Sequence, residues 1–174
     1  METAIVSLIC IALILVGGMT MSQGFLVSVD STSKALQDLG GRAEEMLRTE
    51  LSPVTANTSV TGTMLYVTLT NNGQTKLNDF SKWDVIVQYR DGGDNCHVIW
   101  LPYTEAAVSD NEWTKTGIYL NGQPETLEVG ILNPGEEMRV EAKLNPAVGD
   151  NTTNQVILAT PSGITASGAF THQP

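Results

Sequence analysis

Charge is missing from Thr3 to Val29, and within that stretch Ala4 to Val16 reads AIVSLICIALILV. An uncharged run of this length excludes an ordinary solvent-facing segment: it crosses a bilayer or fills a core lined by other helices. Loop punctuation is missing too. The first proline is Pro53, and the apolar pattern passes through Leu36, Leu39, Ala43 and Met46 without a stop. Basic residues are few, nine Lys and Arg against nineteen Asp and Glu, for a net charge of −10. Residues 1 to 55 hold six acids and three bases, giving −3, and residues 56 to 174 hold thirteen acids and six bases, giving −7. With no basic stripe to follow a phosphate backbone, nucleic acid is excluded as the natural partner. The acidic balance suits a surface that must stay soluble when crowded.

Cysteine and histidine are equally scarce. Cys10 lies inside the apolar run and Cys96 in a β-rich region, so a disulfide framework is excluded. Cys96 stands beside His97, but no second ligand pair has metal-site spacing, and we read it as a buried cysteine in a strand. The other histidine, His172, is close to the end of the sequence, and neither a G-x-S-x-G elbow nor a phosphate loop occurs. Asp91, Asp94, Asp110 and Glu112 fit no EF-hand pattern and read as solvated turn acids. No enzymatic activity, cofactor or metal is expected.

What is present divides at about residue 52. Residues 2 to 50 read as one helix, about 70 Å long at 1.5 Å per residue, more than twice the hydrocarbon thickness of about 30 Å. Its apolar half offers Ile5, Leu8, Ile9, Ala12, Leu15 and Val16 for packing. Its amphipathic half offers a stripe at alternating spacings of four and three through Phe25, Val29, Thr32, Leu36, Leu39, Ala43 and Met46. Asp30, Lys34, Asp38, Arg42, Glu45 and Arg48 lie off that stripe, and Asp38 with Arg42 is placed to pair along the surface. Gly40-Gly41, like Gly17-Gly18, marks either a bend or a close approach by a neighbouring backbone. Cleavable secretory signals open on a basic segment and close on a small-residue site. Here Glu2 is the only charge ahead of the run and no A-x-A closes it. We therefore expect a filament helix whose basic leader has been removed, against the simpler alternative of a membrane anchor in which Gly17, Gly18 and Gly24 allow close helix contacts.

Residues 53 to 174 have a β texture. Thr63 to Thr70 alternates, with Leu65, Val67 and Leu69 on one face, and stops at Asn71-Asn72-Gly73. Further strands are predicted at Asp84 to Arg90, Cys96 to Leu101, Thr116 to Leu120, Thr126 to Leu132, Glu137 to Leu144, Gln155 to Thr160 and Ile164 to Thr171. Turns at Asp91-Gly92-Gly93-Asp94, Asn121-Gly122, Asn133-Pro134-Gly135, Gly149-Asp150-Asn151 and Pro161-Ser162-Gly163 separate them. Short strands at this spacing argue for an immunoglobulin-like β-sandwich, without the Cys-Trp-Cys arrangement of antibody domains. The fold class is therefore α+β, a long N-terminal helix followed by a sandwich. Trp83, Trp100 and Trp113 serve the core or its rim, and Asn57-Thr58-Ser59 and Asn151-Thr152-Thr153 are acceptor triplets for N-glycosylation.

This layout resembles the archaellin and archaeal type IV pilin superfamily. The resemblance rests on Leu65-Tyr66-Val67-Thr68-Leu69-Thr70-Asn71-Asn72-Gly73, Leu77-Asn78-Asp79-Phe80-Ser81 leading to Trp83-Asp84-Val85-Ile86-Val87, Leu132-Asn133-Pro134-Gly135-Glu136, and Thr160-Pro161-Ser162-Gly163-Ile164. It implies that a prepilin peptidase removes the leader, and that an ATPase with a membrane platform inserts subunits into a helical homopolymer. Residues 1 to 52 would then form the filament core and residues 53 to 174 the sheath. Ile5 stands where bacterial type IV pilins carry glutamate, a departure that fits archaellins better. The implied function is a structural subunit of an extracellular archaellum-type filament for swimming, held in the membrane before assembly. The alternatives are an adhesive pilin and a membrane-anchored stator or envelope-binding protein.

Overall fold

The computed structural model describes residues 2–52 and 55–173. Pro53, expected to open the outer domain, and Met1 lie outside the described residues. The chain divides into two compact units, Met1–Glu44 and Glu45–Pro174.

The first unit is a helix, part of α1, which runs from Glu2 to Arg48 over 47 residues. It passes through Gly17-Gly18, Gly24 and Gly40-Gly41 without a break, and a Cβ added at any of these five glycines meets nothing within 4 Å. Four of its hydroxyls, those of Ser7, Thr20, Ser31 and Thr32, turn back on the backbone. Ser7 donates to the Thr3 carbonyl at 2.8 Å, Thr20 to Gly17 at 2.9 Å, and Thr32 to Ser28 at 2.9 Å. Internal satisfaction of this kind lets a hydroxyl sit in an apolar stretch without an unmet donor. Asp30 pairs with Lys34 at 3.0 Å at four-residue spacing, and the pairing expected of Asp38 with Arg42 does not form.

The second unit begins with the last turn of α1, which ends at Arg48, two residues earlier than the sequence suggests. A loop takes over its carbonyls. Gln74 N–H donates to Arg48 O at 2.7 Å, and Asn72 and Gly73 N–H groups donate to Glu50 O at 2.8 and 3.0 Å. Helices leave their last carbonyls open, and here a turn closes one of them. Gly73 is required for the approach, since a Cβ there would lie 2.5 Å from Glu50 N and 2.6 Å from Arg48 O. Leu51 then dips into the core and pairs with Asn71.

Among the described residues nine strands follow: β1 Thr55–Thr58, β2 Met64–Thr70, β3 Asp84–Arg90, β4 Cys96–Leu101, β5 Glu112–Leu120, β6 Gln123–Pro124, β7 Glu137–Lys143, β8 Thr153–Ala159 and β9 Thr165–Thr171. They form two antiparallel sheets, ordered β1-β2-β7-β5-β6 and β4-β3-β8-β9. The strands alternate buried and exposed side chains, so one row from each sheet meets in a shared core. Leu65, Val67, Leu69, Met138, Val140 and Trp113 come from the first sheet, and Val85, Val87, Tyr89, Val156, Leu158 and Phe170 from the second. This is the expected sandwich.

Four expectations need correction. β1 was not foreseen, because TANT carries no apolar alternation and is held by its register with Leu65 to Thr68. Thr126 to Leu132 is a loop and not a strand. The Glu125 carboxylate accepts the N–H groups of Leu127 and Glu128, Lys115 donates to Val129 O at 2.6 Å, and only Leu132 makes a bridge, to Leu77. β5 starts at Glu112, four residues before its predicted start, and absorbs a bulge between Lys115 and Gly117. Cys96 is exposed on β4 and not buried, because it falls on the outward row of that strand.

Candidate functional site: the apolar helix and the two ends of the sandwich

The residues singled out for packing on α1, Ile5, Leu8, Ile9, Ala12, Leu15, Val16, Phe25, Val29, Leu36, Leu39, Ala43 and Met46, all project outward, and none finds cover within the chain. Between Ile5 and Val16 the neighbours Val6, Ile11, Leu13 and Ile14 are exposed as well, so this half is apolar on every side. Further along, Val29, Thr32 and Leu36 share one shallow groove with Ser28 and Ser33, so that part of the predicted stripe is brought together. The helix from Ile5 to Arg48 is long and apolar enough to cross a membrane. Fully burying one Leu, Ile, Val, Phe or Met side chain is worth about 1.5–3 kcal/mol. A segment with more than ten of them exposed cannot remain in water.

The sandwich has a near end, where the chain enters at Thr49–Ser52, and a far end with the β1–β2, β3–β4 and β7–β8 loops. At the near end a cleft of about 190 Å³ is lined by Glu45, Lys76, Lys82, Trp83 and Thr160. Lys76 pairs with Glu128 at 3.0 Å and Lys82 with Asp79 at 2.9 Å. The 125–131 loop beside Lys76 presents Leu127, 90% exposed, on a backbone pinned by Glu125 and Lys115. Desolvation holds the Lys115 ammonium below its usual value, and it lies 5.0 Å from the Phe80 ring centre.

At the far end Asp91 organises the β3–β4 turn. Its carboxylate accepts from His97 Nε2 at 2.9 Å, Asn95 N at 2.9 Å, Asn95 Nδ2 at 3.0 Å and Gly93 N at 2.8 Å. These bonds, His97's first and Asn95's next, hold the carboxyl well below the usual carboxylate range. Asp94 pairs with Arg90, Asp110 with Lys143, and Glu112 caps the Ser109 N–H. The four acids therefore fall in two turns, Asp91 with Asp94 and Asp110 with Glu112, and each is taken up by its own partners. Among the described residues no group of three His, Cys, Asp or Glu side chains is arranged to hold a metal.

The same end brings the two glycosylation triplets together, which their spacing in sequence does not reveal. His172 is buried, its Nδ1 is 2.9 Å from Thr58 Oγ1, its Nε2 is 3.3 Å from Asp150, and its carbonyl accepts from Asn151 N at 2.8 Å. Asn57 and Asn151 are both exposed, Asn57 on β1 and Asn151 in a turn with φ of 56°. Of the three tryptophans, Trp83 and Trp113 are core residues, while Trp100 stands on the outer face of β4. Sequence reading missed that outer row. The signal was there, since CHVIWL is apolar at both phases of its alternation.

Comparison with known proteins agrees with this architecture. The family model described as conserved flagellar protein F, immunoglobulin-like domain, matches residues 51–167. Among solved structures, the archaellum periplasmic stator protein FlaG from Sulfolobus acidocaldarius is similar at 20% identity and a TM-score of 0.52, over 70% of this chain and 99% of that one. The archaellum periplasmic stator protein complex of FlaF and FlaG from the same organism matches at 19% identity and a TM-score of 0.51, over 70% of this chain and 90% of that one. The archaeal flagellum of Methanospirillum hungatei strain JF1 matches at 15% identity and a TM-score of 0.58, over 96% of this chain and 91% of that one. No curated protein matches the chain by sequence.

Proposed function

The chain belongs to the family of conserved flagellar protein F with an immunoglobulin-like domain, and from that membership we propose that it is a membrane-anchored, non-catalytic stator or envelope-binding component of an archaellum. The observation that carries this reading is the pairing of the family's sandwich with a helix whose apolar half is exposed on every side. Residues 5 to 29 exceed the roughly 20 residues that one bilayer crossing requires. Charge begins at Asp30, and residues 30 to 48 extend the helix by a further 28 Å or so at 1.5 Å per residue. In this reading residues 1 to 52 are anchor and stalk, and residues 53 to 174 are the outer domain that meets other archaellum or envelope proteins. Asn57 and Asn151, exposed outside the membrane, are its proposed glycan acceptors.

A second reading, favoured by a different observation, is a filament subunit. The match to the Methanospirillum hungatei flagellum extends over nearly the whole chain, helix included. Ile5, Leu8, Ile9, Ala12, Leu15, Val16, Phe25, Val29, Leu36, Leu39, Ala43 and Met46 would then pack against copies of themselves around a filament axis, after leader removal by a prepilin peptidase and insertion by an assembly ATPase. Fractionation of native cells separates the two. Shearing releases filaments and leaves anchored proteins behind, so the stator reading expects the protein in the membrane pellet after shearing, extracted only by detergent. Recovery in the sheared filaments at subunit stoichiometry overturns it in favour of the filament.

A further inference from the structure

The two outward faces of the sandwich differ in what they leave unpaired. On the sheet ordered β1-β2-β7-β5-β6, the outward row of β7 is charged and turned on its neighbours. Arg139 pairs with Glu137 at 3.1 Å and lies 3.9 Å from the Tyr119 ring centre, and Lys143 pairs with Asp110. Among the described residues the outward face of β4-β3-β8-β9 carries two charges, Asp84 and Arg90, at opposite ends of β3. Both are occupied, Asp84 by Trp100 and Arg90 by Asp94. Between them the face is uncharged, on a chain whose net charge is −10.

Two rows cross that uncharged face. Trp100, Ile86, Ile157 and Ser167 stand side by side in register, and the next row holds Gln88 beside Gln155. Residues two apart on a strand set the rows about 7 Å from each other, and the four strands span about 14 Å. Ile86 and Ile157 are half-buried and form a floor. Trp100 is 57% exposed and held by one edge, its Nε1 donating to Asp84 at 2.8 Å. Gln88, Gln155 and Ser167 are exposed and, among the described residues, make no side-chain hydrogen bond. Two amides and a hydroxyl thus leave their donors and acceptors open beside an oriented indole.

We infer that this face binds a neutral saccharide chain, the glycan of an envelope glycoprotein, with Trp100 as the stacking platform and Gln88, Gln155 and Ser167 as its hydrogen-bonding partners. The inference deepens the envelope-binding reading above and rests on it for the source of the glycan. A pyranose ring gathers C–H bonds on its faces and hydroxyls around its rim. The negative face of an indole attracts polarised C–H bonds, and an amide donates to one hydroxyl while accepting from the next. An apolar row with open amides alongside matches both parts of the ring. Charge selects in the same direction. An ionic partner finds no free countercharge between Asp84 and Arg90, whereas a neutral one is indifferent to the acidity of the chain. A protein partner of ordinary size covers about 800 Å² on each side around an apolar centre. Here the strongly exposed apolar side chains are Val98 and Trp100, both on one strand.

The test uses the full-length protein in a detergent without a sugar headgroup. The probe is the pool of glycopeptides that protease digestion releases from the envelope of the cells that make the protein, and the control is the same pool after chemical removal of its glycans. Calorimetry is expected to show saturable binding of the glycosylated pool, unchanged by high salt because no ion pair is involved. Tryptophan emission should shift to the blue as Trp100 is covered, since Trp83 and Trp113 are already buried. Trp100→Ala should abolish the shift and weaken binding about tenfold or more, Trp100→Phe should restore part of it, and Gln88→Ala with Gln155→Ala should weaken it several-fold. All these side chains are exposed or half-exposed, so unfolding midpoints should stay close to wild type, and the double glutamine variant carries the test should Trp100→Ala fail to fold. Overturning results are no saturable binding by the wild type, unchanged affinity in Trp100→Ala or in the double glutamine variant, loss of binding in high salt, or equal binding of the deglycosylated pool, which would give the face to a polypeptide. Localisation in the membrane pellet is scored separately, so failure of glycan binding and failure of the stator reading are distinguishable.

Discussion

The two units of this chain solve opposite problems. In the sandwich, apolar side chains from both sheets converge until Leu65, Val85, Val87, Leu101, Trp113 and Leu132 are sealed from solvent. Along α1 side chains of the same kinds, from Ile5 to Val29, are all exposed. Hydrophobicity alone does not say where a residue ends up; the period of the pattern does. Alternation at period two gives each strand one apolar face, and two such faces cover each other within a single chain. An apolar run on every side of a helix has no complementary face in its own chain, and must take its cover from lipid or from other subunits. The sandwich carries its own stability, while the helix transfers its demand to the surroundings, and that demand locates the protein.

The widest gap between the units should appear on truncating a large apolar side chain in each. Trp113→Ala removes a fully buried indole, and such changes cost about 3–5 kcal/mol. Leu13→Ala removes a comparably apolar side chain that is 67% exposed. Denaturant unfolding of the full-length protein in detergent, followed by tryptophan fluorescence from Trp83 and Trp100, should show a large loss of stability for the first and none for the second. An equal loss from Leu13→Ala would mean that the helix packs on the sandwich, and the contrast would fail. A smaller effect is expected where α1 ends. Gly73→Ala drives a Cβ into the backbone at Arg48 and Glu50, and overpacking of this kind costs about 1–3 kcal/mol. Amide exchange should then accelerate at Asn72, Gly73 and Gln74, whose N–H groups bond to Glu50 O and Arg48 O, while β3 and β8 keep their protection.

These sites also show how far the sequence could be read. The helix was legible because a run without charge or proline has few alternatives, and β2, β3, β7, β8 and β9 because their alternation is regular and glycine-rich or asparagine-rich turns bound them. β1 and the 125–131 loop were not, since both are decided by partners. TANT is a strand because β2 lies beside it, and TLEVGIL is a loop because the Glu125 carboxylate and Lys115 take its backbone groups. The role of Asn71-Asn72-Gly73 was half visible. A turn was expected there, but its use as the cap on a preceding helix depends on contacts across more than twenty residues. The surfaces were harder still. The apolar row of β4 looks like core in the sequence and becomes an open edge only once the order β4-β3-β8-β9 leaves that strand outermost. Likewise the two glycosylation triplets converge only because His172 links β9 to β1 and to the β7–β8 loop.

The smallest expected effect concerns acid, and it asks what holds the far end of the sandwich once hydrophobic burial is set aside. Asp91 sits in a loop, yet its carboxylate is held below the usual range by His97, Asn95 and Gly93. A group whose folded pKa is depressed contributes stability that is present above its unfolded value, about 3.9 for aspartate, and that disappears as pH falls toward the folded value. Asp91→Asn keeps an oxygen for the Gly93 and Asn95 N–H groups but removes the charge. The stability difference between wild type and Asp91→Asn, read from unfolding midpoints, should therefore hold steady above about pH 5 and narrow as pH falls below about 4. A difference that stayed constant down to pH 2 would show that the anion contributes nothing and that the turn rests on its neutral hydrogen bonds. The far end would then resemble the core, fixed by shape alone, and the β3–β4 turn would be insensitive to the acidity around it.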